Sequence, residues 1–213
     1  MKRIVLIIVV SMFLCQPAGA ILIDRGVGMI YDTDLDITWF KNANSAQLPA
    51  NEYWGLMNLE MATEFAENFE YYDPIQNITF SDWRLPTTAV EEDGYNITSS
   101  ELGYLYYVSL GNEANADILN TGPFENLQRS SYWTSTPYSA IPDLNYSWQF
   151  FFNGGWQAPD VDSDPDSYVW LVRDGDYWQS EINPVPEPAT FLLLGIGFAG
   201  ILGGSRRALK KKK

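Results

Sequence analysis

The side chains of this chain that could do chemistry are almost all carboxylates. The 213 residues include 27 Asp and Glu, no histidine and a single cysteine, Cys15. Histidine is the usual general base near neutral pH, so its absence makes Ser-His-Asp and Cys-His catalytic arrangements impossible. A catalytic role would have to rest on two paired carboxylates, and nothing in the sequence indicates which two. We therefore expect no catalytic residues and no enzymatic activity.

Two Asp clusters have the spacing with which calcium-binding loops begin. Neither has the glycine at the sixth position or the glutamate at the twelfth, so neither is an EF-hand. We favour solvated Asp-rich turns for both, and a looser calcium site stays open, above all at the second cluster. The first cluster is Asp32, Asp34 and Asp36, and the second is Asp162, Asp164 and Asp166.

Tryptophans are the other side chains that could bind a ligand. Trp133, Trp148 and Trp170 lie in strand-like segments, which indicates a hydrophobic core. Trp156 and Trp178 lie among polar, Gly-rich or Asp-rich residues, which indicates exposure. An exposed Trp can stack on a sugar ring while neighbouring Asp and Asn side chains bind its hydroxyls. Trp156 and Trp178 are therefore the candidate ligand-binding residues.

Arginine is rare in the body of the chain. Arg84, in the segment Trp83-Arg84-Leu85-Pro86-Thr87, could have either of two roles. Arg84 could clamp a ligand, or it could bind nearby carbonyl groups and organise a loop-rich domain together with the proline. We favour the structural role, and we expect a similar one for Arg173.

The elements that position these residues are strands and two helices. Apolar residues at steps of three and four predict a helix over 53–69, and a second helix over 100–110 begins at a Ser99 or Ser100 cap. Asn153-Gly154-Gly155 predicts a turn. Strands are predicted over 28–32, 37–40, 132–136, 146–152 and 168–172, the first two forming a hairpin around the Asp-rich turn. This pattern predicts an α+β domain.

Charge is distributed very unevenly along the chain. Eight of the 13 bases lie at the two ends, so the part between them has five bases against all 27 acids, a net charge near −22. Such a surface repels nucleic acid and anionic lipid headgroups, so we expect no nucleic-acid partner.

The N-terminal end predicts export. Lys2 and Arg3 precede an apolar run over residues 4–14, and Ala18-Gly19-Ala20 supplies the small residues that signal peptidase needs. Residues 1–20 are therefore a predicted signal peptide. Cleavage after Ala20 would leave a chain without cysteine, held by its core without disulfides.

The C-terminal end combines a stiff motif, an apolar segment and a basic end. Val185-Pro186-Glu187-Pro188 is followed by uncharged residues 189–204, and then by Arg206, Arg207 and four lysines. This order is typical of a membrane-spanning helix with cations on the cytoplasmic side. At these residues the tail resembles the PEP-CTERM sorting signal of Gram-negative bacteria. The resemblance implies processing by an exosortase and an association with exopolysaccharide and biofilm.

The body resembles the Lcl C-terminal-like domain, a former domain of unknown function. The resemblance runs through most of residues 26–176 and implies a C-type-lectin-like fold, with two helices and a small twisted antiparallel sheet. It implies no activity. Its motifs, in order, are Gly28-Met29-Ile30-Tyr31-Asp32 with Ile37-Thr38-Trp39, Trp83-Arg84-Leu85-Pro86-Thr87, Glu101-Leu102, Tyr132-Trp133-Thr134-Ser135-Thr136, and Trp170-Leu171-Val172-Arg173-Asp174-Gly175.

Together these features predict a signal peptide (1–20), a body (21–183) and a sorting tail (184–213). The expected protein is exported through the inner membrane to the envelope, outer surface or matrix, and contacts the membrane through its tail. We expect its non-catalytic body to bind extracellular polysaccharide. Two alternatives stay open: an anchored acidic structural protein without a specific ligand, and a glycan-active enzyme that uses two carboxylates.

Overall fold

The computed structural model describes the body of the chain in six stretches that contain twelve strands and two short helices. Three sheets account for the strands: one of four, one of six and one of two. The described residues are 21–47, 54–88, 92–116, 119–140, 146–161 and 167–177.

The four-stranded sheet brings the beginning and the end of the body together. Its order is β1 (Leu22–Asp24), β2 (Met29–Asp32), β3 (Ile37–Phe40) and β12 (Val172–Asp174), all antiparallel. The pairing of β2 with β3 confirms the predicted hairpin. An ion pair between Arg25 and Asp176 joins the two ends of the body a second time.

The six-stranded sheet carries most of the aromatic side chains. Its order is β4 (Leu56–Met57), β11 (Ser167–Tyr168), β8 (Ser131–Pro137), β9 (Tyr146–Phe151), β10 (Trp156–Val161) and β7 (Gly94–Tyr95). Only the pairing of β11 with β8 is parallel among these strands. The two-residue strand β7 forms one edge. A separate hairpin pairs β5 (Tyr71–Asp73) with β6 (Ile78–Phe80).

Helix α1 (Leu59–Asn68) is shorter than the sequence pattern predicts. It begins after Asn58, whose side chain accepts a hydrogen bond from the Met61 amide at 2.8 Å. The predicted start near residue 53 is wrong, because Trp54 and Gly55 have φ angles of 58° and 97°, which no right-handed helix allows. Residues 56–57 then form β4, so the apolar steps before Asn58 do not belong to a helix.

Helix α2 (Glu101–Tyr104) continues into a π-helical turn at Leu105–Ser109. Ser100 caps it by accepting a hydrogen bond from the Gly103 amide at 3.1 Å, as one of the two predicted caps. The apolar residues of this segment are buried: Leu102, Leu105, Tyr106 and Leu110 are all at most 4% exposed.

Two aromatic-rich clusters form the hydrophobic core. One surrounds Trp39, Tyr106 and Trp170 between the first sheet and α2, and the other packs Trp83 and Trp133 against α1. Trp133, Trp148 and Trp170 are buried, as predicted. The predicted strand over 168–172 is wrong, because β11 ends at Tyr168 and β12 begins at Val172, so Trp170 lies between two strands. In the absence of disulfides, this packing supplies the stability of the body.

The predicted fold class of the body, an α+β, C-type-lectin-like domain, is wrong. The described part of the chain is mostly β-sheet, because aromatic and β-branched segments pair into twelve strands instead of one small sheet. The two helices are short additions. No helix among the described residues is long and apolar enough to cross a membrane, and the predicted span at 189–204 lies outside them.

Candidate functional site

Three aromatic side chains form a row across the edge of the six-stranded sheet. Trp156 on β10 lies opposite Phe151 on β9 and opposite Tyr95 on β7, so the three residues share one register position. The Phe151 and Trp156 ring centroids are 5.6 Å apart, and those of Trp156 and Tyr95 are 6.2 Å apart. Both pairs are tilted by only 28°. We call Phe151, Trp156 and Tyr95 the aromatic row.

The outer part of the aromatic row is open to solvent. Trp156 is 39% exposed and Tyr95 is 44% exposed, whereas Phe151 is half-buried. Isolated exposed apolar residues are common, but adjacent large rings at one surface position indicate a binding site.

The segment that carries Glu92 and Asp93 lies beside the aromatic row, and the Asp93 carboxylate contacts it directly. The indole nitrogen Nε1 of Trp156 donates to Oδ1 of Asp93 at 2.7 Å. Gln157, the next residue on β10, donates from Nε2 to the carbonyl oxygen of Glu92 at 2.8 Å. Asp93 and Glu92 are exposed. The two hydrogen bonds fix residues 92–95 against β10, and therefore fix Tyr95 beside Trp156.

The turn between β9 and β10 connects Phe151 to Trp156 in the aromatic row. This is the predicted Asn153-Gly154-Gly155 turn, and Gly155 has a φ angle of 80°. The Gly155 carbonyl accepts a hydrogen bond from the Tyr107 hydroxyl, and the Gly154 carbonyl accepts one from the Asn115 amide at 2.8 Å. A Cβ atom on Gly155 would lie 2.5 Å from ring atoms of Tyr106 and from the hydroxyl of Tyr107. Only glycine fits this turn.

The structure places one of the two candidate ligand-binding tryptophans in this site. Trp156 is the centre of the aromatic row, whereas Trp178 lies outside the described residues. No sequence pattern pointed to Asp93, Tyr95 or Phe151 as site residues, although Gly94-Tyr95-Asn96 has the composition of an exposed turn. Outside the described residues lie the predicted calcium ligands Asp162, Asp164 and Asp166, and the sorting residues Val185, Pro186, Glu187, Pro188, Arg206 and Arg207.

The first Asp cluster forms a structural turn. Asp32 is buried, and its Oδ1 accepts hydrogen bonds from the amides of Asp34 and Leu35, at 3.1 and 3.3 Å. Its Oδ2 accepts one from the Ser109 hydroxyl at 2.8 Å. Within the described stretches, no group of three or more acidic side chains is close enough to hold a metal ion.

The other two Asp side chains of this turn accept hydrogen bonds from tyrosines. The hydroxyl of Tyr31 donates to Asp36, and that of Tyr104 donates to Asp34, both at 2.8 Å. The hydrogen bond to Asp36 raises the pKa of Tyr31 to about 12. These contacts explain the turn without a bound cation.

Arg84 occupies a network of charged groups inside the body. Its guanidinium binds both carboxylate oxygens of Glu101, at 2.8 and 2.9 Å, and Oδ1 of Asp174 at 2.6 Å. Glu101 in turn accepts a hydrogen bond from the Thr87 amide at 2.7 Å. The network joins the segment after β6 to the start of α2 and to β12, which supports the structural interpretation of Arg84.

Arg173 makes a similar connection. It binds both oxygens of Asp82 at 2.8 Å and lies 4.7 Å from the centre of the Phe80 ring. The hydrogen bond from Arg173 lowers the pKa of Asp82. The predicted structural role of Arg173 agrees with these contacts.

Comparison with known proteins identifies the tail. Residues 184–207 match the PEP-CTERM protein-sorting motif. The chain therefore carries the sorting signal of an exported protein of the Gram-negative cell envelope that an exosortase processes. No curated protein and no solved structure matches the chain. The resemblance of the body to the Lcl C-terminal-like domain stays a prediction.

Proposed function

We propose that this exported protein binds extracellular polysaccharide through its body, at the envelope surface or in the matrix, without catalysing a reaction. The sorting motif at 184–207 supports delivery to that compartment. The observation that carries the binding proposal is the exposed aromatic row with Asp93 beside it.

The chemistry of the row suits a sugar chain. Pyranose rings have apolar C–H faces and polar edges, so they bind where an aromatic surface adjoins hydrogen-bonding groups. Trp156 and Tyr95 supply the aromatic surface, and the exposed carboxylate of Asp93 supplies an acceptor for hydroxyl groups. The row extends over more than one ring, which suits a polymer better than a single sugar.

Asp93 acts in this proposal as a positioning residue. Its Oδ1 accepts the indole N–H of Trp156 and so fixes the ring that contacts the ligand. A glycosidase instead needs two carboxylates that face each other across the scissile bond. We therefore propose binding and no hydrolysis.

A second candidate function follows from the ion pairs. Acids form ion pairs with four bases of the body, Arg25, Lys41, Arg84 and Arg173. The large excess of acids could hold water and bridging cations in a matrix without a specific ligand. Calcium is part of this proposal through Asp162, Asp164 and Asp166.

The test is binding of the purified exported protein to a panel of bacterial polysaccharides, with calcium and with a chelator. The matched variants are Trp156→Ala and Trp54→Ala, because Trp54 is 76% exposed and lies outside the aromatic row. We expect saturable binding that falls at least about tenfold in Trp156→Ala and is unchanged in Trp54→Ala.

Three other outcomes would change the assignment. Equal losses in both variants would mean non-specific contact, and binding to nothing would favour the acidic structural protein. Loss of binding only in the chelator would assign calcium a direct part. Each variant is first compared with the unsubstituted protein by its melting temperature, so that unfolding is not mistaken for lost binding.

A further inference from the structure

The charges around the aromatic row bear on which polysaccharide it binds, an inference that rests on the function proposed above. The row contacts one exposed carboxylate, that of Asp93, and Glu92 is the exposed acid that precedes it in the chain. None of the ion pairs between described residues involves either of them. No base in the described part of the chain therefore forms an ion pair with the Asp93 carboxylate at the row.

The bases of the body are engaged elsewhere. Arg25, Lys41, Arg84 and Arg173 form ion pairs, and Arg129 donates to the carbonyl of Ala116 at 3.4 Å. A polymer of uronic acids would have to approach the Asp93 carboxylate at the row and a body whose net charge is strongly negative. Like charges at an interface are repelled, so the site disfavours anionic glycans.

The hydrogen-bonding groups of the row also favour a ligand that donates. The one indole donor, Nε1 of Trp156, is already bound to Asp93. Asp93 and Glu92 only accept hydrogen bonds when ionised. Aromatic faces attract cations as well, most strongly those of Trp and Tyr.

We propose that the aromatic row binds a cationic amino-sugar polymer, a hexosamine chain in which amino groups are free and protonated. The sugar rings lie against Trp156 and Tyr95, and an ammonium group binds the carboxylate of Asp93. The negative charge of the body favours this polymer over a polyuronate. The Asp93 carboxylate favours it over a fully N-acetylated chain, which has no ammonium group to bind.

The experiment compares two oligosaccharides of equal length and linkage, β-1,4-linked glucosamine and its fully N-acetylated counterpart, with an oligouronate as the anionic probe. Binding to the exported protein is measured by calorimetry in slightly acidic buffer, where the amines are protonated, at low and high salt.

The variants are Asp93→Asn, Glu67→Gln and Trp156→Ala. Asparagine keeps an oxygen that can accept the indole N–H, so Asp93→Asn removes charge while the ring stays fixed. Glu67, an exposed acid on α1, is the charge-matched control.

We expect the free-amine chain to bind more tightly than the acetylated one, and high salt to weaken it. Asp93→Asn should weaken binding of the free-amine chain by about two- to fivefold and that of the acetylated chain by less, whereas Glu67→Gln should leave both unchanged. Trp156→Ala should abolish both interactions.

The outcomes separate this inference from the proposed function. Equal binding of both chains, with no effect of Asp93→Asn, overturns the cationic ligand and keeps polysaccharide binding. Preference for the oligouronate overturns the cationic ligand as well. If no oligosaccharide binds and the wider polysaccharide panel is also negative, both proposals fall.

Discussion

Replacing Arg84 with methionine decides whether this arginine holds the body together or binds a ligand. Methionine keeps the apolar stem and removes the guanidinium. The substitution leaves Glu101 without its bidentate partner, although the Glu101 side chain is only 15% exposed. It also removes the hydrogen bonds to Asp174 and to the carbonyl of Leu85.

The expected loss of stability lies between those of a surface pair and a buried pair. Exposed ion pairs contribute roughly 0–1 kcal/mol, and breaking a fully buried one costs about 3–5 kcal/mol. The side chain of Arg84 is 29% exposed, and Asp174 lies largely in solvent, so its share of the loss is small. We expect about 2–3 kcal/mol, because a charged hydrogen-bond network to one partly buried carboxylate is lost. For a body of this size, that loss lowers the melting temperature by roughly 5–10 °C.

The assay is thermal and urea unfolding of the exported protein, with Lys41→Met as the matched control. Lys41 pairs with Asp24 and Glu125, whose side chains are 44% and 63% exposed, so its loss should cost clearly less than the loss of Arg84. Polysaccharide binding at a temperature where both variants are folded should be unchanged. If Arg84→Met unfolds no earlier than Lys41→Met but loses ligand binding, Arg84 is a ligand clamp and the structural interpretation is wrong.

Three further predictions concern the turn at the row, the tyrosines and the tail. Gly155→Ala should lower the free energy of unfolding in urea by about 1–3 kcal/mol more than Gly175→Ala does. Both glycines have positive φ angles, but of the two only Gly155 has no room for a Cβ atom. Equal losses in the two variants would contradict the close packing around Gly155. Stability should fall from about pH 10 to about pH 12. The hydrogen bond to Asp36 raises the folded-state pKa of Tyr31 to about 12, burial raises that of Tyr177 to about 12, and the unfolded chain loses these protons first. Urea midpoints that stay constant over this pH range would refute the predicted fall in stability. Glu187→Ala in the matched motif should leave the C-terminal tail uncleaved in intact-mass measurements of cells with an exosortase, whereas a processed mass would place recognition elsewhere.

Local signals in the sequence predict local structure well here. Ser100 could be predicted as a cap of α2 because the amide that it binds, that of Gly103, lies only three residues further along the chain. Sequence patterns for helix starts cover separations of this length. The hairpin of β2 and β3 is equally local. The start of α1 could not be predicted, because the apolar spacing before Asn58 fits a helix, while Trp54 and Gly55 adopt left-handed backbone angles.

The site depends on contacts that no short pattern contains. Trp156 could be selected from its polar, glycine-rich surroundings, but its partners Asp93 and Tyr95 lie more than 60 residues earlier. They meet only because β7 pairs with β10 at the edge of the six-stranded sheet. The α+β expectation fails for the same reason: strand pairing over long separations decides how much of the chain is sheet.

The segment before β7 is bound from both faces of β10, which determines how Asp93 can be tested. Trp156 and Gln157 are consecutive on β10 and therefore point to opposite faces, and each hydrogen-bonds this segment, one to Asp93 and the other to Glu92. Asp93 thus contributes both a charge and a hydrogen bond that orients the indole. Asp93→Asn removes the charge alone, and Asp93→Ala removes both the charge and the hydrogen bond. The extra loss of binding in the alanine variant therefore measures what the fixed ring contributes, and the loss in the asparagine variant measures what the charge contributes.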